Sequence, residues 1–307
     1  MPDRNETLPQ SAPALPGAHS IFDPDSYLPA LAEKLAEAPD ARAKRKATVA
    51  ALQAARQSAM GDIIAGFDSH PRAARETVRA IASLTDAIVT TIHWVATTHL
   101  HPRQSPTEAE QLAVLAVGGY GRAEMAPQSD VDLLFLTPYK TSAWTESVVE
   151  SMLYMLWDLK LKVGHATRSV DDCIRLAAQD MTIRTSLVEH RAIAGQITLA
   201  ETLRDRLWSE LFDGSIPEFI EAKLAERDER HQRQGGQRYV LEPNVKEGKG
   251  GLRDLQTLYW IAKYIHRVER ASQLVDLGVF ERDEHLAFWQ AEDFLWAVRC
   301  HLHLIAG

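Results

Sequence analysis

Two aspartates one residue apart, Asp130 and Asp132, are the first side chains in this sequence whose spacing points to chemistry. They open an apolar run, residues 133–136, that has the character of a buried strand. Residues i and i+2 of a strand point to the same side, so the two carboxylates lie together. Neighbouring carboxylates repel each other unless a cation lies between them, and Mg²⁺ is commonly held by one or two carboxylates and substrate phosphates. The pair therefore predicts a magnesium site.

A glycine-rich turn precedes the aspartates. The apolar run 112–117 leads directly into Gly118, Gly119, Gly121 and Arg122. Glycines at such a turn let backbone N–H groups approach a phosphate closely. A surface aspartate pair or an ordinary turn would explain either feature alone. Together, with an apolar strand on each side, they indicate a site that binds a metal ion and a phosphate.

A second glycine-rich stretch, residues 239–254, reads YVLEPNVKEGKGGLRD. Its lysines, Lys246 and Lys249, precede a predicted amphipathic helix over residues 252–265 that carries Arg253 in its first turn. Free N–H groups at a helix start, the positive end of the helix dipole and ammonium groups together attract anions. The spacing is not that of a P-loop. A phosphate site and a simple surface turn are therefore both open from the residues alone.

The string GGYGRAEMAPQSDVDLLFL resembles the active-site signature of the nucleotidyltransferase fold shared with DNA polymerase β. More closely, it resembles the N-terminal domain of the bifunctional PII uridylyltransferase/uridylyl-removing enzymes, which usually carry glycine where this chain has Ala123. The 239–254 stretch resembles the NxKxGxGGLRD segment of the same enzymes. A related segment occurs in the glutamine synthetase adenylyltransferases, so this stretch does not identify the nucleotide by itself. The resemblance covers roughly residues 50–307.

This resemblance implies a magnesium-dependent transfer of UMP from UTP to a tyrosine hydroxyl of the PII nitrogen-signalling protein, with release of pyrophosphate. Asp130 and Asp132 would bind the metal, with Mn²⁺ as an alternative to Mg²⁺. The implied phosphate contacts are Gly118, Gly119, Gly121, Arg122, Lys246, Lys249 and Arg253. For Arg122, a structural ion pair with Glu124 is the alternative.

Other functions fit the same motifs. An adenylyltransferase acting on glutamine synthetase shares both of them. A non-catalytic nucleotide-binding regulatory module would share the fold, although the retained aspartates and glycines speak against it. Transfer to RNA is disfavoured because 34 basic and 42 acidic residues give a formal net charge of −8, whereas nucleic-acid-binding proteins are normally basic.

Enzymes of this fold generally add a third acid from another strand, beside the aspartate pair. The next predicted strand, residues 161–169, contains no acid, and helix capping accounts for Asp171 and Asp172 just after it. Glu189 lies in an otherwise apolar segment, where a carboxylate is costly to bury unless it is paired or bound to a metal. We therefore predict Glu189 as the third catalytic and metal-binding carboxylate. If the segment is a strand, pairing with Arg191 on the same face is the alternative.

Composition limits where the protein acts. The only cysteines, Cys173 and Cys300, lie far apart in helix-like sequence and form no disulfide or zinc pattern, as expected in a reducing cytoplasm. No apolar run approaches the ~18 residues of a membrane span. The N-terminus lacks the apolar core of a signal peptide. We expect a cytoplasmic enzyme whose partners are PII and UTP, with no nucleic acid and no membrane.

The chain divides into four segments by composition. Residues 1–26 predict a disordered leader, and residues 27–110 predict helices packed on the catalytic domain. Residues 111–197 alternate strands and helices and form the predicted catalytic core. Residues 198–307 predict a helical domain that contains the Gly/Lys loop 244–254 and is truncated at its C-terminus. No His-Asp pair, the mark of the hydrolase domain in the resembling enzymes, is present.

The expected fold class is α+β, with a polymerase-β-like nucleotidyltransferase sheet, N-terminal helices and a mostly helical C-terminal domain. In the N-terminal part, apolar residues spaced by three and four predict one amphipathic helix: Val78, Ile81, Leu84, Ile88, Ile92 and Val95. Residues 185–194 are ambiguous between strand and helix.

Overall fold

A four-stranded mixed sheet forms the centre of the protein. The computed structural model describes residues 24–103, 107–234, 242, 244–268 and 273–306. The strands are β1 (Ala113–Ala116), β2 (Val131–Thr137), β3 (Val163–Ser169) and β4 (Arg191–Gly195), in the order β3-β2-β1-β4. β1 is antiparallel to β2 and β4, and β2 is parallel to β3. The prediction of an α+β fold is confirmed.

Helices surround the sheet. In chain order they are α1 (Pro24–Ala36), α2 (Ala41–Ser69), α3 (Ala74–Val95), α4 (Gly118–Gly121), α5 (Ala143–Asp158), α6 (Val170–Gln179), α7 (Met181–Val188), α8 (Ile197–Leu207), α9 (Ile216–Arg233), α10 (Leu252–His266), α11 (Gln273–Asp276) and α12 (Arg282–Ala306). Two wider π-helical turns, Ala96–Leu100 and Trp208–Phe212, extend α3 and α8. The predicted leader, apart from the start of α1, and the apolar run 239–241 lie outside the described residues.

The predicted apolar stripe of α3 is buried along its whole length, from Val78 to Val95. With its π-helical extension, the segment Ala74–Leu100 is long and apolar enough to span a membrane by length and composition. However, 61% of its most apolar window is buried inside the protein. Packing in the core accounts for the apolar character of this helix.

The alternation of side chains along β2 gives the sheet two different faces. Val131, Leu133 and Phe135 pack into a core with the N-terminal helices and α5. Leu134 and Leu136 pack into a second core with α6, α8, α9 and α10. Successive strand residues point to opposite faces. The residues aligned with Leu134 and Leu136 therefore face the C-terminal helices.

The ambiguous segment contains both elements, because α7 ends at Val188 and β4 begins at Arg191. Glu189 caps the C-terminus of α7 and is not part of the strand. The alternative pairing of Glu189 with Arg191 is therefore wrong. Arg191 Nη1 instead donates to Asp86 Oδ2 at 2.7 Å. Glu189 precedes the first residue of β4, so strand alternation does not place its side chain beside that of Arg191.

Gly121 lies where two chain segments touch. A Cβ atom at this position would stand 2.0 Å from the carbonyl oxygen of Glu189 and 3.1 Å from that of Ala116. Gly61, in the exposed middle of α2, has no atom within 4 Å of the same added carbon. The two glycines form a matched pair for the same substitution.

We expect Gly121→Ala to lower the free energy of unfolding by about 3 kcal/mol, since backbone atoms must move apart. Gly61→Ala should raise it by about 0.5–1 kcal/mol, because alanine restricts the unfolded chain more than glycine does. Urea denaturation of both variants measures these changes. Equal effects would contradict the close approach between α4 and the α7–β4 junction.

Candidate active site

A cleft of about 460 Å³ opens between one end of the sheet and helices α7, α9, α10 and α12. Among the residues predicted from the sequence, it is lined by Gly118, Gly119, Arg122, Asp130, Asp132, Glu189, Lys246 and Arg253. The two sequence motifs, more than a hundred residues apart, thus meet at one place. A larger cavity of about 720 Å³ shares Arg122 and Glu189 with the cleft but contains neither aspartate.

Two glycines enclose the carboxylate of Asp132. Gly164 stands directly opposite Asp132 in the parallel pairing of β2 with β3. A Cβ at Gly164 would lie 2.4 Å from Asp132 Oδ1, and a Cβ at Gly118 would lie 3.4 Å from Oδ2. Gly118 also adopts a positive φ of 60°, which favours glycine. The sequence analysis missed Gly164, although a glycine inside a strand often marks a close approach.

Electrostatics at the aspartate pair suit a cation. Burial raises the pKa of Asp132, and the charge of Asp130 raises it further, while Lys246 lowers it. A divalent ion would relieve this repulsion, and the glycine at position 164 leaves the Asp132 carboxylate free of side-chain contact from β3. In the described part of the chain, no group of three or more His, Cys, Asp or Glu side chains is placed to hold a metal. The pair thus fits a cation that substrate and water oxygens complete.

Arg122 and Glu189 form a buried ion pair at the cleft. Arg122 Nη1 donates to Glu189 Oε2 at 2.6 Å, and Arg122 Nε donates to Glu124 Oε2 at 2.9 Å. The Glu189 side chain is only 1% exposed. Burial lowers the pKa of Arg122, but the two carboxylates outweigh it and the net pKa is raised. Burial raises the pKa of Glu189, and Arg122 opposes this rise. The assignment of Glu189 as the third metal-binding carboxylate stays a prediction. In the described structure, the Glu189 carboxylate accepts a hydrogen bond from Arg122.

Local hydrogen bonds shape the Gly/Lys loop. Asn244 Oδ1 accepts from the backbone N–H groups of Lys246 at 3.0 Å and of Glu247 at 2.9 Å. Asp254, in the first turn of α10, accepts from the Gly250 N–H at 2.7 Å and also contacts Arg230 and His231 of α9. These contacts fix the loop between α9 and α10. They give Asp254 a structural role.

The loop presents its two lysines differently. Lys246 lines the cleft, whereas Lys249 is exposed and lies outside it. Gly121, the third glycine of the first motif, also lies outside the cleft lining and faces the Glu189 backbone. Lys249 and Gly121 belong to the two sequence motifs, but tertiary packing places both outside the cleft lining.

Several basic side chains of the cleft were not anticipated from the sequence: Lys223, Arg230 and Arg233 of α9, with Arg299 and His303 of α12. A run of charges of mixed sign, as in α9, is typical of a solvated helix face, yet the side chains of Lys223 and Arg230 are only 2% and 9% exposed. Lys223, Arg230 and Arg233 are seven and three residues apart, which places them on one face of the helix. This spacing does not show that the face is buried.

The indole ring of Trp260, on α10, connects the two motifs. Its centroid lies 5.1 Å from Lys223 Nζ, 5.3 Å from the Arg253 guanidinium carbon and 6.0 Å from that of Arg122. Cations over an indole face are stabilised by the ring quadrupole. The ring therefore holds cations from α9, α10 and the glycine turn beside the aspartate pair.

Comparison with known proteins relates two separate parts of the chain to nucleotidyltransferase families. The family model described as GlnD PII-uridylyltransferase matches residues 218–307. The family model described as glutamate-ammonia ligase adenylyltransferase matches residues 10–159. The first match contains the Gly/Lys loop, and the second contains the aspartate pair.

Similar curated proteins carry the name bifunctional uridylyltransferase/uridylyl-removing enzyme. The Cereibacter sphaeroides protein is 65% identical over 241 residues, which are 78% of this chain and 26% of that protein. The Ruegeria pomeroyi protein is 58% identical over 94% of this chain and 32% of its own length. The Rhodospirillum rubrum protein is 47% identical over 96% of this chain and 31% of its own length. The chain thus spans about a third or less of these relatives.

We expect Gly164→Ala to weaken Mn²⁺ binding by about tenfold or more, because the added methyl group displaces the Asp132 carboxylate. The protein should remain folded, since the clashing atom belongs to a side chain that can rotate. Calorimetric titration with Mn²⁺ measures the affinity. Gly214→Ala, at a glycine with no atom near its added carbon, serves as the control, and equal Mn²⁺ affinity in both variants would exclude this role of Gly164.

Proposed function

The chain is related across 94% of its length to enzymes named bifunctional uridylyltransferase/uridylyl-removing enzyme, and from this relationship we propose that it carries a uridylyltransferase site. It transfers UMP from UTP to a tyrosine hydroxyl of the PII signalling protein and releases pyrophosphate. The observation that carries the proposal is the cleft, where the aspartate pair of the first motif faces the Gly/Lys loop of the second.

Different residues of the cleft have different roles in such a transfer. Asp130 and Asp132 would hold Mg²⁺, which when bound would neutralise charge on the phosphate oxygens. Lys246 and Arg253 bind phosphate oxygens from the opposite wall. The tyrosine oxygen forms a bond to the α-phosphorus, the bond from that phosphorus to the bridging oxygen breaks, and pyrophosphate leaves with the electron pair. The tyrosine proton passes to water.

Arg122 has a positioning role in this proposal. Its guanidinium is held by Glu124 and Glu189, so most of its hydrogen-bonding capacity is used within the protein. Its remaining terminal nitrogen lies near Gly119, 3.6 Å from the position of an added Cβ there. Arg122 thereby orders the glycine turn against which the triphosphate would lie.

The second candidate function is adenylyl transfer to glutamine synthetase. It is favoured by the adenylyltransferase family model, which matches the half of the chain that contains Asp130 and Asp132. Uridylyl transfer is favoured by relatives that are 46–65% identical over most of the chain. The choice between the two is therefore a question of nucleotide and acceptor protein.

We expect the chain, supplied with Mg²⁺ and labelled nucleotides, to label PII from UTP and not from ATP. PII with phenylalanine in place of its tyrosines is the matched control and should remain unlabelled. Gel separation and counting of the protein bands give the measurement. Labelling of glutamine synthetase from ATP would establish the second candidate, and no labelling in any combination would overturn both.

Asp130→Asn and Asp132→Asn should each abolish transfer, because each removes a charge that holds the metal while preserving side-chain size. Without metal, neither variant should be less stable than the unchanged chain, since the two carboxylates repel each other. Transfer assays and urea denaturation test both statements. Residual transfer within about tenfold of the unchanged chain would contradict the assignment of the metal site to this pair.

Glu189→Gln should behave differently from the aspartate variants. It removes the buried partner of Arg122, so the free energy of unfolding should fall by about 3 kcal/mol. UTP should still bind to the folded fraction. A loss of transfer by several orders of magnitude at unchanged stability would instead establish Glu189 as the third metal-binding carboxylate.

A further inference from the structure

We propose that Arg299 binds the terminal phosphates of the nucleotide, so that α12 forms part of the nucleotide site. The inference rests on the proposed function and extends it to a helix that neither sequence motif includes. Arg299 lines the cleft together with Lys246 and Arg253. It would add a third cation to the wall that faces the aspartate pair.

One face of α12 lines the cleft. Trp296, Arg299 and His303 follow each other at spacings of three and four, which places them on the same side of a helix. Trp296 and Cys300 are buried in an apolar cluster that also contains Leu252 of α10. The Arg299 guanidinium lies 5.2 Å from the centroid of the Trp296 ring. This packing directs Arg299 toward the cleft.

α12 is also bonded to the loop that carries Asp130. The backbone N–H of Gln128 donates to His303 Nδ1 at 3.3 Å, and Gln128 Nε2 donates to the His303 carbonyl oxygen at 3.4 Å. A neutral imidazole accepts through only one ring nitrogen, so His303 accepts either from Gln128 or from Arg299 Nε, which lies 3.5 Å from His303 Nε2. In both cases, no hydrogen bond among the described residues uses the two terminal nitrogens of the Arg299 guanidinium.

Arg299 differs from the other cleft cations in lacking an acidic partner. The ion pairs of the others are Arg122–Glu124, Arg122–Glu189, Lys223–Glu226, Arg230–Asp254, Arg233–Glu229, Lys246–Glu247 and Arg253–Glu247. Within the described ranges, no carboxylate lies within the 4.0 Å of an ion pair from Arg299. Arg299 is partly buried, and a partly buried guanidinium without a counter-ion is a ready ligand for an anion.

The charges around Arg299 point in the same direction. Burial lowers its pKa, and the neighbouring Arg253 and Arg122 add to this effect, while Cys300 and Glu247 oppose it. Burial likewise lowers the pKa of Lys246, and Arg253 and Arg299 add to that effect. Glu247 is shared by Lys246 at 3.7 Å and Arg253 at 3.3 Å. One carboxylate does not balance three cations, so an anion would stabilise this wall of the cleft.

The position of Arg299 in the cleft assigns it to the terminal phosphates. Asp130 and Asp132, beside which the transferred α-phosphate would lie, belong to the sheet end of the cleft, whereas Arg299 belongs to α12 on the wall formed by the helices. The β- and γ-phosphates extend away from the transferred α-phosphate, and a guanidinium fork can bind them through two hydrogen bonds.

Calorimetric titration with inorganic pyrophosphate, UTP and UMP tests this assignment without an acceptor protein. Arg299→Gln should weaken binding of pyrophosphate and UTP by about tenfold to a hundredfold. Binding of UMP, which has no β- or γ-phosphate, should not change. Arg282→Gln, the same substitution at an exposed position on the same helix, should leave all three affinities unchanged.

Two results would overturn the proposal: unchanged pyrophosphate affinity in Arg299→Gln, or an equal loss for UMP and UTP. If Arg299→Gln does not fold, Arg299→Lys keeps the charge and carries the test, with a smaller selective loss for UTP expected. Because these titrations need no PII, they remain decisive if transfer to PII is not observed. Failure of the labelling assay alone would count only against the proposed reaction.

Discussion

The geometry of the cleft depends on Arg122, a buried cation between two carboxylates. It bonds Glu124 beside it in sequence and Glu189 at the junction of α7 and β4, and it lies over the ring of Trp260 in α10. Removing one partner of a buried ion pair typically costs about 3–5 kcal/mol, because the remaining charge is left without compensation. Arg122 therefore holds three chain segments together at the floor of the cleft: the glycine turn, the α7–β4 junction and α10.

Strand alternation decides which helices can complete the site. The even-numbered residues of β2, Leu134 and Leu136, pack against the C-terminal helices, and Asp132 has the same parity. The odd-numbered residues pack against the N-terminal helices. The carboxylate of Asp132 consequently opens toward α9, α10 and α12, which supply the cations of the opposite wall.

The net charge of the whole chain does not indicate that basic side chains are concentrated in the cleft. The formal net charge is −8, yet basic side chains from three helices concentrate in one cleft. Most of them pair with acids that also belong to the cleft or border it, so the local excess of positive charge is small and confined to one wall. Net charge governs long-range association with other molecules, whereas an individual phosphate responds to the charges within a few ångströms.

The sequence by itself determined the features that are encoded within short stretches. The apolar stripe of α3, the strands around the glycine turn and the shared side of Asp130 and Asp132 follow from local periodicity, because backbone geometry fixes periods of 3.6 and 2 residues. The α+β fold class also followed from these patterns together with the family resemblance. The convergence of the two motifs is likewise consistent with that resemblance.

Tertiary structure alone decided which charged side chains are buried and with what they pair. Glu189 bonds Arg122, 67 residues away, and Gly164 makes room for Asp132 from a neighbouring strand. The cations of α9 and α12 join the cleft only because their helices pack beside it. Such contacts depend on how distant segments fold together, and local periodicity does not predict them. Whether a charge can be buried is set by the partners it meets in the fold and not by its neighbours in sequence.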